Sequence, residues 1–168
     1  SRGLFVREAD LPVALDDGLI DSLALELFGS PDPIQVDGIG GSHTHTSKLM
    51  VATPSERDGI DIDYTFGQVA IERPVVDWGG NCGNLTSAIG MFGLIEGMVE
   101  ATGPDTSVTL YNTNTDTVID QTIPITDGEP AIYGEYHIDG VAGTGARIDS
   151  TFTDPAGGVF GSLLPLGE

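Results

Sequence analysis

The sequence predicts an α+β fold, a curved and mostly antiparallel sheet wrapped around a central buried helix, and three observations carry that reading. The segment from Leu85 to about Ala101 is apolar or small on nearly every side, as a helix buried all round must be. Residues 60 to 66 alternate strictly, with Ile60, Ile62, Tyr64 and Phe66 against Asp61, Asp63 and Thr65, the period of a strand with one wet face. Beyond about Ser107 the chain is a series of strand-like runs separated by Asn, Asp and Gly turns. A length of 168 residues, 39% of them hydrophobic, suits one domain with a real core, and no internal repeat or linker marks a second.

The elements follow in order. The chain begins at Ser1, without methionine, directly ahead of a strand over Gly3 to Arg7, so residues upstream are expected. Asp16 and Asp17 can cap a helix over Leu19 to Phe28, with Gly29, Ser30 and Pro31 as its stop. Pro31 to Ser47, with glycines at 38, 40 and 41, reads as a loop entering a strand at Lys48 to Thr53. GGNCGN at Gly79 to Asn84 is a turn opening into the long helix. Gly90, Gly93 and Gly97 each cost that helix roughly 1 kcal/mol relative to alanine, which makes sense where strands must approach closely. Further strands are expected at Ser107 to Tyr111, Thr117 to Ile125, Ala131 to Ile138 and Arg147 to Phe152.

Charge narrows the function classes. Six basic against 26 acidic residues give a net charge of -20, which repels nucleic-acid phosphates and anionic membrane surfaces, so neither is expected as a partner. The acidic residues are scattered, as on a solvated surface, and Lys48 is the only lysine, a balance similar to proteins of salt-accumulating cells. The lone cysteine, Cys82, excludes an internal disulfide and fits a reducing compartment. With no leader and no apolar run near the ~18 residues of a membrane span, a cytoplasmic location is expected.

Few residues invite chemistry. A free cysteine is more often buried and inert, but Cys82 sits in a glycine-rich turn just before a helix, where access and the helix N-terminus favour a reactive thiolate. Asn81 and Asn84 beside it either orient a bound carboxylate or hold the turn, and Gly79, Gly80 and Gly83 let backbone approach a ligand. Lys48 stands where the glycine loop becomes a strand, placed to aim an amine into a cleft for proton transfer. His43 and His45 lack a third ligand at metal-binding spacing, and the glycine loop matches no nucleotide-binding pattern, so neither metal nor cofactor is expected. Asp61 and Asp63 read as a solvated strand face, and Asn112, Thr113 and Asn114 as a polar turn that more often bonds to itself and less often touches substrate.

DPIQVDGIGGSHTHTSK at Asp32 to Lys48 and GGNCGNLTSAIG at Gly79 to Gly90 resemble the two signature segments of the PrpF family, which includes methylitaconate isomerase and oxalomesaconate tautomerase. YNTNTDT at Tyr111 to Thr117, IDGVAGTGARI at Ile138 to Ile148, DPAGG at Asp154 to Gly158 and SRG at Ser1 to Gly3 continue the resemblance in order. It implies the first of two similar domains of a diaminopimelate-epimerase-like fold, with the active site between them. It implies Cys82 and Lys48 as carriers of proton transfer, and substrate contacts from Ser1, Gly40, Gly41, Ser47, Asn81, Gly83 and Asn84. One departure stands out: Gly80 occupies the place of the family's usual serine before NCGN. The implied reaction is an allylic proton shift in a small unsaturated di- or tricarboxylate, without a cofactor. Since the chain resembles one half, its expected partner is a second domain or a second copy of itself; in the related fold the final strands return to the first domain, so an uncovered sheet edge is expected here and with it pairing into homo-oligomers.

The charge reading makes a prediction. The midpoint of thermal unfolding should rise steeply between dilute buffer and molar potassium chloride, as screening relieves self-repulsion. A midpoint indifferent to salt would remove the high-salt interpretation.

Overall fold

The computed structural model describes residues 1–153, so the DPAGG segment lies outside the described residues. Eight strands form a curved sheet: β1 Leu4–Arg7, β2 Lys48–Pro54, β3 Ile62–Val69, β4 Val76–Asp77, β5 Asp105–Asn112, β6 Thr117–Thr126, β7 Glu129–Pro130 and β8 Asp149–Phe152. Their order is β1-β2-β3-β5-β6-β7, with β4 also on β3 and β8 also on β6. Only β1 with β2 and β3 with β5 run parallel; the other pairs are antiparallel. Helix α1, Ile20–Phe28, covers one face, while α2, Gly83–Thr86, and α3, Ile89–Ile95, cover the other. The α+β arrangement expected from the sequence is therefore the one present.

The two covered faces explain the side-chain pattern. In β2, Leu49, Met50, Val51 and Ala52 are all buried, because odd positions meet Ala24 and Phe28 of α1 while even positions meet Leu85 and Ile89. In β3 the predicted inward set, Ile62, Tyr64 and Phe66, joins the α2–α3 side of the core. Asp63 is not merely wet: it accepts from Ser55 Oγ at 2.7 Å and meets Arg57 Nε at 3.2 Å. Asp61 accepts from the Thr109 N–H at 2.7 Å, tying β3 to β5.

One edge of β3 is shared, by β5 at Ile62–Tyr64 and by β4 at Gln68 and Val69. Between them the Asn114 carboxamide takes the place of a strand. Its Oδ1 accepts from the Phe66 N–H at 2.7 Å, and its Nδ2 donates to the carbonyls of Phe66 at 2.9 Å and Trp78 at 2.6 Å. Asn112 bonds within the turn, accepting from Thr115 N–H and Oγ1 at 2.9 and 2.7 Å. The polar turn is thus self-bonded as expected, and it also seals the sheet.

Three expectations need correction. The helix expected over Leu85 to Ala101 is two short ones. Thr86 Oγ1 and Ser87 Oγ bond back to the carbonyls of Cys82 and Asn84, at 3.0 and 2.7 Å, and such side chains compete with the helical ladder. The helix then stops at Gly97, left-handed at φ 69°, where the Met98 N–H bonds the Gly93 carbonyl at 2.8 Å. Burial all round fails too, since Ile95 is 61% exposed. Finally, the strand expected at Ala131 to Ile138 is absent: Ile132, Tyr136 and Ile138 fall on one period-two phase but lie exposed, as does Tyr133, with only a bridge between Tyr136 and Gly145. Alternation makes a strand only where a covered sheet edge is there to receive it.

Gly90 and Gly93 do admit close approach. A Cβ on Gly90 would lie 2.6 Å from both Gln121 Oε1 and Ile123 Cδ1, and one on Gly93 would collide with Ile62 Cδ1. Gly90→Val should therefore lower stability by roughly 1–3 kcal/mol in urea unfolding. Gly18→Ala, with open space around it, should change it by less than about 0.5 kcal/mol.

Candidate functional site

The turn carrying Cys82 is anchored from beneath by Tyr64, which is buried in the sheet. Tyr64 OH accepts from Asn81 Nδ2 at 3.0 Å and lies 3.0 Å from Thr86 Oγ1. Donating its one proton to Thr86 frees the Thr86 hydroxyl to donate to Asn81 Oδ1, at 3.1 Å, or to the Cys82 carbonyl. Asn81 Oδ1 also accepts from the Cys82 N–H at 2.7 Å. Both ends of the Asn81 amide are therefore engaged in holding the turn. Burial pushes the Tyr64 phenol above the ordinary tyrosine range, while its bonds to Thr86 and Asn81 pull it back.

Cys82 itself is half-buried and caps α2 in an extended conformation, φ -117° and ψ 96°. Its carbonyl accepts from the N–H groups of Leu85 and Thr86 at 3.0 and 2.9 Å. Its Sγ faces Ser1 Oγ at 3.9 Å, and Asn84 Nδ2 lies 3.5 Å from the same hydroxyl. Ser1, Gly83 and Asn84 are exposed, and the N–H groups of Gly83 and Asn84, first in α2, have no intrahelical acceptor. Because α2 has four residues, it offers these N–H groups and not the long helix dipole that the sequence suggested.

Lys48 begins β2 on the same sheet face as Met50 and Ala52, and so on the side of α2. Gly3 separates the two: a Cβ there would lie 2.6 Å from Leu85 Cδ1 and 3.0 Å from the Lys48 carbonyl. A side chain there would have to displace the end of Leu85 and press on the Lys48 carbonyl, where the N-terminal segment now passes to bring Ser1 to Cys82. Lys48 Nζ donates to Gln68 Oε1 and stands 5.1 Å from the centre of the Phe66 ring.

The glycine loop is organised by a residue that sequence reasoning missed. Gln35, fully buried with a positive φ of 51°, donates to Ser30 Oγ at 2.9 Å and accepts from the Ser42 N–H and Ser47 Oγ, both at 2.8 Å. A Cβ on Gly40 would strike the Gln35 carboxamide, and one on Gly41 would strike Thr46 and Arg2. Gly40, Gly41 and the buried Ser47 thus pack the loop against itself. Glutamine's usual preference for the surface is what hid Gln35. The rings of His43 and His45 stack at 4.6 Å with their Nδ1 atoms 2.8 Å apart. No group of three metal-ligating side chains occurs among the described residues, and no helix there is long and apolar enough to cross a membrane.

Comparison with known proteins finds relatives that are named as isomerases. The family model described as PrpF protein matches residues 1–168. The 3-methylitaconate isomerase of Eubacterium barkeri is 42% identical over 168 residues, all of this chain and 44% of the relative. The 4-oxalomesaconate tautomerase of Pseudomonas putida is 41% identical, again over all of this chain and 46% of the relative. A crystal structure of methylitaconate-delta-isomerase superposes on 99% of this chain and 42% of its own, with 42% identity and a TM-score of 0.89. The chain thus spans under half the length of these relatives.

The Tyr64 anchor is testable. Tyr64→Phe should cost about 1–2 kcal/mol at neutral pH, since Asn81 and Thr86 lose a buried partner. A raised phenol contributes stability that is whole below the unfolded tyrosine value of about 10 and lost as pH climbs through the folded value. Urea unfolding should therefore show a shallower alkaline loss in Tyr64→Phe than in the parent protein.

Proposed function

Because this chain belongs to the PrpF family, we propose that it is the thiol-bearing half of a cofactor-independent isomerase acting on a small unsaturated di- or tricarboxylate. The observation that carries this reading is the accessible Cys82 thiol at the mouth of α2, with Ser1 Oγ 3.9 Å away and the exposed amides of Gly83 and Asn84 beside it.

In this mechanism Cys82, as thiolate, removes a proton from a carbon allylic to the double bond. The freed electron pair spreads through the double bond onto the substrate carboxylate as an extended enolate. The Gly83 and Asn84 N–H groups and the Ser1 hydroxyl receive that carboxylate, as backbone donors at helix starts receive anions. Lys48, as ammonium, returns a proton at the far carbon, so that the double bond moves; the thiol then gives up its proton and the amine regains one by exchange with solvent, which restores both groups. Asn81 holds the turn that aims the thiol, and Gly40, Gly41 and Ser47 shape the loop leading to Lys48. The local donors must outweigh the repulsion of a chain at -20 for an anionic substrate. Methylaconitate, methylitaconate and oxalomesaconate are the candidate substrates, and a salt-rich cytoplasm the proposed setting.

A second reading follows from the share of each relative that the chain covers, 44% and 46%. In it this half binds carboxylate or folds without turnover until a second domain, or a second copy of the chain, closes the site.

Both are decided by solvent exchange. Incubated in heavy water with methylitaconate and the related acids, the protein should place deuterium in the ligand, and Cys82→Ser and Lys48→Ala should each lower the rate at least about 100-fold. Exchange that appears only when the second half is supplied would establish the incomplete-site reading. Saturable binding with no exchange in either form would leave a carboxylate-binding module.

A further inference from the structure

The side chain that faces Lys48 across the β2–β3 ladder is Gln68, its register partner. Its carboxamide cannot turn freely. Gln68 Nε2 lies 3.1 Å from the Thr44 carbonyl, 3.0 Å from the Ser47 carbonyl and 3.3 Å from the Val69 carbonyl, three acceptors among which the two N–H bonds of the NH2 end are shared and which Oε1 could not serve. The flipped orientation would set Oε1 against those carbonyl oxygens. Oε1 is thereby pointed the other way, and there it accepts from Lys48 Nζ. The Phe66 ring, 5.1 Å from Nζ, borders the ammonium from the same face of the sheet.

The acceptors come from the end of the glycine loop. Thr44 belongs to the short 3-10 turn Thr44–Thr46, whose preceding residue His43 accepts the His45 N–H on its side chain at 3.2 Å. Ser47 is held in turn by Gln35. The loop therefore orients Gln68, and Gln68 orients the amine.

We propose that Gln68 is a positioning residue that fixes the Lys48 amine for proton transfer, its carboxamide locked by the carbonyls of Thr44, Ser47 and Val69. The proposal rests on the proton-transfer role given to Lys48 above. A neutral amide suits the task. It gives the ammonium an acceptor without adding the charge that a glutamate would. Its effect is on placement, and misplacing a reacting group by about an ångström costs up to ~100-fold in rate.

The test combines kinetics with a reading that needs no substrate. Lys48 is the only lysine in this chain, so lysine labelled with carbon-13 at Cε reports on one side chain. Its order parameter should be high in the parent protein and should fall in Gln68→Met, which keeps length and loses the acceptor. In the exchange assay, with the second half present if it is required, Gln68→Met should lower kcat about 10- to 100-fold with a smaller change in KM. Gln68→Glu should move the Lys48-dependent limb of the pH–rate profile upward by roughly one pH unit or more, because a carboxylate favours the charged amine. An unchanged order parameter in Gln68→Met overturns the proposal whatever the kinetics show. A loss of stability in both variants without a moved limb also overturns it, leaving Gln68 a structural residue. If the order parameter falls but Lys48→Ala still exchanges at the parent rate, Gln68 does place Lys48, and it is the role of Lys48 in proton transfer that fails.

Discussion

The hydroxyl of Tyr64 is where the hydrophobic core and the cysteine turn become one structure. It sits on the central strand β3, buried among side chains that α2 and α3 cover, and yet it must spend its polar group. A buried hydroxyl without partners would be costly, and the partners it finds are Asn81 and Thr86, which flank Cys82. The aromatic ring is thus committed to the sheet and its oxygen to the turn. Neither Cys82 nor the first turn of α2 can shift without unpairing that oxygen, so a glycine-rich segment with little propensity of its own is held by the best-packed part of the molecule.

The same logic recurs wherever polar side chains meet the core. Gln121, buried on β6, accepts from the Gly90 N–H at 3.0 Å and donates to the Thr86 carbonyl at 2.9 Å and to Ser150 Oγ at 2.9 Å. One amide therefore joins α2, α3 and β8 to the middle of the sheet. The absence of a Cβ on Gly90 is what lets that amide reach the helix backbone. Gln35 does the equivalent work in the glycine loop, and Asn114 along the edge of β3. Among the described residues no buried side-chain polar atom lacks a partner. In a chain this acidic, neutral amides serve as internal connectors because they donate and accept together without adding charge to be desolvated.

A site with few cations results. Lys48 is the single lysine, and its neighbours Gln68 and Phe66 are neutral, so its ammonium is neither cancelled by a carboxylate nor lost to solvent. Cys82 likewise has for neighbours a serine, two asparagines and backbone N–H groups. The net charge of -20 is carried elsewhere, largely on exposed positions, where solvent and salt screen it. The proton transfer proposed for this site, on an anionic substrate, would be served by such a division between a neutral or positive site and an acidic exterior.

What the residues declare by themselves is what depends on near neighbours. The alternation of Ile62, Tyr64 and Phe66 declares β3, the apolar run after Lys48 declares β2, Gly29 declares the end of α1, and the ordered motifs from Ser1 through Asn84 declare the family. Helix length was misjudged because Thr86 and Ser87 turn their hydroxyls back onto carbonyls one turn away, which propensity does not register. The strand expected after Ala131 failed for a different reason: strand pattern is local, but a strand exists only through pairing, and none was offered beyond the Tyr136–Gly145 bridge. The site divides the same way. Cys82 and Lys48 were visible as rare residues in unusual turns, whereas Gln35, Tyr64 and Gln68 were not, since nothing in a lone glutamine or tyrosine says what it will face. Their roles come mainly from contacts that reach across as many as 24 residues of sequence, and only the fold brings such partners together.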